Sequence, residues 1–172
     1  MKPYHPILLG GLALLTSLLL RPLAAQEQTL DAKGVAEATA VAYRFLEALS
    51  AADTATLAGL LVPQAMIHSV RDGPVGAALR AVSREAFLGS LGAEEEELLE
   101  RMWDPTVLVQ DRVAMVWTPY DFHLNKEFSH CGIDVFTLLK GDEGWQVASI
   151  TYNVVREGCP PSPLGPPGGR GR

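Results

Sequence analysis

The chain has 172 residues, of which 48% are hydrophobic, and its 14 Lys and Arg against 20 Asp and Glu give a formal net charge of −6. This length suits one domain with a sizeable core, and the hydrophobic fraction is too high for a disordered protein. The acidic balance argues against a nucleic-acid-binding protein, which needs positive charge to contact phosphates. Two cysteines exclude a disulfide-built miniprotein and a four-cysteine zinc site.

The N-terminus has the features of an export signal. Lys2 precedes the 14-residue apolar block Ile7–Leu20, which is shorter than the ~20 residues needed to span a bilayer. We expect cleavage between Ala25 and Gln26, with an uncleaved membrane anchor as the alternative. Cleavage removes the positive charges of Lys2 and Arg21, which takes the net charge from −6 to −8. An exported protein, periplasmic or secreted, with that charge suits neither nucleic acid nor an anionic membrane surface.

Three helices are predicted in the first half of the mature chain. Asp31 can cap a helix that buries residues at the 3.6-residue period, Asp53 begins a short helix stopped by Pro63, and Ser83 caps a third that ends at Gly92. Two strands joined by a turn are predicted between the second and third helices, at Ala65–Arg71 and Ala77–Val82.

The second half is rich in β-branched and aromatic residues. Short turn-like links separate four predicted strands, at Thr106–Gln110, Val113–Leu124, Phe128–Lys140 and Trp145–Arg156. Such short links predict antiparallel neighbours, and therefore an α+β fold. The last 14 residues, 159–172, contain five Pro and four Gly and predict a flexible tail, so the domain spans residues 26–158.

Several segments of this half resemble one known superfamily. Val116–Phe122 (VWTPYDF), Phe128–Gly132 (FSHCG), Gly144-Trp145 and Arg156–Cys159 (REGC) are similar to exported lumazine-binding or polyketide-cyclase-like proteins of the nuclear transport factor 2-like (cystatin-like) superfamily. The resemblance implies N-terminal helices packed in a curved antiparallel sheet, a cone with a pocket inside. It implies no single function, because the superfamily includes isomerases, dehydratases, cyclases, ligand carriers and association domains.

Counting along the hairpins predicts which polar side chains share a face. Pairing outward from the Asn125-Lys126 turn sets Asp121 opposite His130 and Trp117 opposite Asp134. The next hairpin, paired in the same way, adds two residues of the last strand. The predicted polar face consists of Trp117, Asp121, His130, Asp134, Thr151 and Asn153. One β-bulge would move part of this set to the other face.

The polar face is the predicted wall of a ligand pocket. Asp121 would orient His130 and raise its basicity, and Asp134 among apolar neighbours would have a raised pKa. Tyr43 from the first helix and His68 from the first strand are predicted to reach the same pocket. The alternative is a polar cross-strand pair whose hydrogen bonds only stabilise the sheet.

The opposite face is predicted to be apolar and to form a homodimer around four residues, Val116, Ile133, Val135 and Ile150. For the two cysteines the arguments conflict. Export favours a disulfide between Cys131 and Cys159, but the register places Cys131 opposite Val154, about 16 Å along the strand from Cys159. A bond therefore requires the chain to turn back, which Gly158 permits.

The function predicted from these features is binding of a small apolar or aromatic molecule by an exported domain, with no cofactor and no metal. The histidines show no metal-ligand spacing, and no motif for a nucleotide, a nucleophilic serine or a redox cysteine pair is present. One alternative is an isomerase, dehydratase or cyclase that uses His130 with Asp121 or Asp134. Another is an association domain without a working pocket.

Overall fold

The computed structural model describes residues 31–91 and 96–167. The elements are α1 (Ala32–Ser50), α2 (Thr54–Leu60), β1 (Leu61–Gly73), β2 (Gly76–Ser83), α3 (Arg84–Leu91), β3 (Leu98–Met102), β4 (Thr106–Gln110), β5 (Val113–Leu124), β6 (Glu127–Gly141) and β7 (Gly144–Val154). The predicted signal peptide and its cleavage site lie outside the described residues. No helix within the described ranges is long and apolar enough to cross a membrane.

The helices begin at the predicted caps and pack on one face of the sheet. The Asp31 carboxylate accepts the Gly34 N–H at 2.9 Å, and Asp53 accepts the Thr56 N–H at 3.0 Å. Phe45 of α1 meets Phe136 of β6 edge to face, with ring centroids 5.7 Å apart. We call the helix-covered face of the sheet the inner face and the opposite one the outer face.

The seven strands form one curved sheet in the order β2-β1-β7-β6-β5-β3, with β4 also paired to β5. The predicted α+β class is confirmed. The prediction of a wholly antiparallel sheet is wrong at one place, because β1 runs parallel to β7. The long crossover between these two strands allows the parallel pairing, which a short turn could not.

Two β-bulges change the predicted register. In β5–β6, His123 faces Phe128 but Phe122 faces His130, so Ser129 is the extra residue. In β6–β7, Leu138 faces Val147 but Thr137 faces Ser149, which leaves Ala148 without a partner. Beyond each bulge every pairing differs by one residue from the simple count, and one residue reverses the face.

The predicted polar face is therefore split between the two sides of the sheet. Asp134 lies between Thr118 and Tyr152 on the inner face, and His130 lies beside Phe122 on the same side. The outer face carries Trp117, Asp121 and Thr151. The predicted dimer patch mixes the faces as well. Its members Val116 and Ile150 are buried in the core, whereas Ile133 and Val135 lie on the outer face.

Cys131 and Cys159 form a disulfide with their Cα atoms 6.1 Å apart. The bulged register pairs Cys131 with Val155, and the chain then turns back through Gly158, whose φ of +75° favours glycine. Beyond the bond, Leu164 borders a groove with Tyr43 of α1 and Leu99 of β3. The described part of the predicted tail is thus covalently attached to β6 and lies beside α1.

Candidate functional site

Two carboxyl groups meet on the inner face, Glu100 from β3 and Asp134 from β6. Asp134 is 1% exposed, and its Oδ2 has no hydrogen-bond partner among the described residues. Burial raises the pKa of Asp134 well above its usual value, and the neighbouring Glu100 charge raises it further. Burial also raises the pKa of Glu100 to about 7, although a hydrogen bond with Asp134 opposes the shift. Burial and mutual repulsion therefore both favour a proton on the pair over two carboxylates.

Aromatic side chains surround the carboxyl pair. Tyr120 is 1% exposed and its hydroxyl donates to the Asn153 carbonyl at 2.9 Å. Tyr152 crosses the Tyr120 ring edge to face, with centroids 6.3 Å apart. Gly132 permits this packing, because a Cβ there would meet the Asn153 carbonyl and come within 2.8 Å of the Tyr120 ring. Burial raises the pKa of Tyr120 and of Tyr152, so both hydroxyls stay neutral.

His130 lies on the inner face but not beside Asp121, so their predicted hydrogen bond is wrong. Its Nδ1 lies 3.0 Å from Ser129 Oγ, and its ring lies 4.9 Å from the Phe122 ring. Burial lowers the pKa of His130 to about 4, and the positive charge of Arg156 adds to the shift. The expectation of a more basic histidine is therefore reversed, and the imidazole is neutral at physiological pH.

Asp121 belongs to a buried charged cluster on the outer face. Its two carboxylate oxygens accept hydrogen bonds from Arg101 Nε at 2.9 Å and from an Arg101 terminal nitrogen at 2.5 Å. His123 Nε2 lies 3.4 Å from Asp121 Oδ2, and both side chains are 5% exposed. Burial alone would raise the Asp121 pKa, but Arg101 and His123 hold it below its usual value. Asp121 is thus held as a carboxylate by its partners.

Three of the other predicted pocket residues lie on the outer face, away from the carboxyl pair, namely Trp117, His68 and Asn153. Trp117 is 40% exposed on the outer face. His68 of β1 pairs with Thr151 of β7 and lies on the same face. The Asn153 side chain stabilises the β6–β7 pairing, because its Oδ1 accepts a hydrogen bond from the Ile133 N–H at 2.7 Å. Tyr43 borders the groove of about 570 Å³ between α1 and β3, which Glu100 also lines.

A cavity of about 610 Å³ opens at the β1–β2 hairpin end of the inner face. It is lined by Arg71, Asp72, Gly73, Pro74, Ala78, Val154, Val155, Arg156 and Glu157. Val154 is two residues along β7 from Tyr152, the cross-strand neighbour of Asp134. Two residues of strand span about 7 Å and one strand spacing about 5 Å, so Val154 at the edge of the cavity lies roughly 9 Å from Asp134, Cα to Cα.

Sequence reasoning missed Glu100 and the arginines. Glu100 follows four consecutive acids in the chain, Glu94–Glu97. The residue pattern of the short strand β3 therefore resembles the continuation of a solvent-exposed acidic segment. The available signal was the alternation of Leu98, Glu100 and Met102, which places an acid between two buried side chains. Among the described residues no cluster of His, Cys, Asp and Glu has a geometry that could hold a metal ion.

Residues 33–153 match the model of the family described as "Putative lumazine-binding". The chain belongs to this family. The match spans α1 to β7 and so includes both Glu100 and Asp134. No curated protein sequence matches the chain.

Solved structures show that the fold is nuclear transport factor 2-like. A protein of this kind from Cytophaga hutchinsonii is 14% identical, with a TM-score of 0.58 over 69% of this chain and 95% of that one. A superfamily member from Salmonella enterica is 15% identical, with a TM-score of 0.58 over 74% and 94%. One with a cystatin-like fold from Novosphingobium aromaticivorans is 14% identical, with a TM-score of 0.59 over 74% and 84%. These identities support the shared fold only.

Proposed function

We propose that the domain binds a small planar molecule on the inner face, with the Glu100–Asp134 pair as its polar anchor. The observation that carries this proposal is the buried Asp134 Oδ2, which has no hydrogen-bond partner among the described residues. An unpaired buried polar group costs about 1–3 kcal/mol, so a ligand that supplies the partner would recover that cost.

The chemistry of the pair favours a ligand with an amide or imide edge. A protonated carboxyl donates one hydrogen bond and accepts another, as such an edge does. Tyr120, Tyr152 and Phe122 supply aromatic surfaces against which a planar ring can pack. Lumazine, the molecule in the family description, has both a planar ring and an imide edge, and is therefore the first compound to test.

The test is a calorimetric titration of the purified protein with lumazine. We expect saturable binding to the wild type and an affinity at least about tenfold lower for Asp134→Leu, because the polar edge of the ligand would then be buried without its hydrogen-bond partner, at a cost of about 1–3 kcal/mol. The matched control is Asp142→Leu, which replaces an exposed acid beyond β6 and should bind as the wild type does. Absence of saturable wild-type binding, or equal affinity of Asp134→Leu, would contradict the proposal.

A second function is supported by the pKa of Glu100. A carboxyl group that titrates at about 7 is matched to proton transfer at neutral pH. The predicted isomerase, dehydratase or cyclase chemistry would then use Glu100 and Asp134 rather than Asp121 with His130. Turnover of a bound compound that is lost in Glu100→Gln while its binding persists would favour this function.

We also propose that the outer face forms a homodimer. Trp117, Leu108 and Val113 are 40%, 55% and 52% exposed there, and an apolar patch of this kind is a liability on a monomer. Trp117→Lys should convert the dimer to monomers in light scattering at about 20 µM. Val75→Lys, at a fully exposed turn residue, should remain dimeric. A monomeric wild type would contradict this prediction.

Export stays a prediction, because the signal sequence lies outside the described residues. The Cys131–Cys159 disulfide supports it, since such bonds persist in oxidising compartments. Intact-mass analysis of the released protein, with loss of residues 1–25 expected, checks it.

A further inference from the structure

Three arginines at the open end of the inner face have no carboxylate partner among the residues that the structure describes. Arg71 and Arg156 line the 610 Å³ cavity, and Arg80 lies in register with Ser69, itself beside Tyr152. Within the described ranges none of the three has a carboxylate within 4.0 Å, whereas Arg84, Arg101 and Arg112 each have one. In an acidic protein, unpaired arginines concentrated around one cavity indicate a site for an external anion.

We propose that the arginines of this cavity bind the carboxylate of the ligand whose planar end reaches Glu100 and Asp134. This inference rests on the proposed function and specifies the ligand as an aromatic monocarboxylate. Guanidinium groups hold carboxylates through paired hydrogen bonds, a geometry that lysine does not offer.

The position of the cavity sets the size of the ligand. Arg71 is in register with Val154, which is two residues along β7 from Tyr152. Arg71 and Asp134 are offset by two residues along the strands, about 7 Å, and by two strand spacings, about 10 Å, so their Cα atoms lie about 12 Å apart. The long arginine side chain covers part of this distance, and a ligand of two fused rings covers the rest. The influence of Arg156 on the pKa of His130 places its charge against the same aromatic wall.

The charge of the cavity sets the charge of the ligand. Asp72 and Glu157 also line it, so the lining itself, with Arg71 and Arg156, is formally neutral. Arg80, in register with Ser69 beside the cavity, adds one positive charge, which matches a single carboxylate. A second anionic group on the ligand would be repelled by the two acids.

The experiment compares lumazine-6-carboxylate with lumazine-6-carboxamide, two molecules of one shape that share the imide edge and differ in charge, by isothermal titration calorimetry. The wild type should bind the carboxylate about tenfold more tightly than the amide. In the double variant Arg71→Gln/Arg156→Gln this ratio should fall below about two, with the affinity for the amide unchanged. Arg112→Gln removes an arginine from an exposed pair with Asp142, away from this cavity, and should keep the wild-type ratio.

Binding of the uncharged amide tests the inner-face site alone, whereas the preference for the carboxylate tests the arginine site. If the wild type binds both compounds equally, or if the double variant keeps the tenfold ratio, the arginine site is wrong and the inner-face site stands. If the wild type binds neither compound, both proposals are contradicted. Thermal unfolding of each variant checks that the fold is retained, as expected for exposed arginines without described ion pairs.

Discussion

Replacing Arg101 with Met is expected to lower the free energy of unfolding by about 3–5 kcal/mol, the usual effect of removing one partner of a buried ion pair. The Arg101 and Asp121 side chains are 15% and 5% exposed and share two hydrogen bonds. The substitution keeps the apolar stem of the side chain but leaves the Asp121 carboxylate with only His123 beside it. Urea denaturation of the two proteins measures the difference.

Two further variants identify the cause of this loss. Asp121→Asn in the Arg101→Met background should restore part of the stability, because a neutral amide costs less to bury than a carboxylate. Arg112→Met breaks the exposed pair with Asp142 and should cost under about 1 kcal/mol. An equal loss for Arg101→Met and Arg112→Met would show that the buried pair contributes nothing beyond a surface pair.

The element pattern of this fold could be predicted from sequence, but its strand register could not. Asp31, Asp53 and the Asn125-Lys126 turn mark boundaries by local chemistry, and each has its predicted role. The bulges at Ser129 and Ala148 have no such local signal. Each reverses the faces beyond it, which is why Trp117 and Asp121 lie opposite Asp134 rather than beside it.

The candidate site was predictable only where it did not depend on the register. Asp134 was predicted to have a raised pKa among apolar neighbours, and the structure places it there. Its partner Glu100 comes from a strand that was not identified, and the Arg101–Asp121 pair depends on the same strand. Long-range pairing of a short edge strand requires tertiary information that periodicity does not contain.

The carboxyl pair should make the protein lose stability as the pH rises through 7. The folded-state pKa of Glu100 is about 7, above its ordinary value of 4.5. The folded protein therefore binds more protons than the unfolded chain between these values, and its stability falls as pH rises. The contribution of Glu100 to this loss is complete above pH 8 and amounts to about 3 kcal/mol, because each unit of pKa difference corresponds to about 1.4 kcal/mol.

The variant Glu100→Gln should remove the part of this loss that Glu100 contributes, whereas the part from Asp134 remains. Relative to the wild type, the unfolding free energy of the variant should rise by about 2 kcal/mol between pH 5 and pH 8.5. The difference between the proteins is the quantity to measure, because His130, whose pKa is lowered to about 4, makes both more stable as pH rises toward 6.5. Glu97→Gln, an exposed acid near Lys126, should follow the wild type at every pH. If Glu100→Gln keeps the wild-type slope between pH 5 and 8.5, Glu100 does not hold a proton near neutrality. The neutral anchor proposed for the ligand would then rest on Asp134 alone.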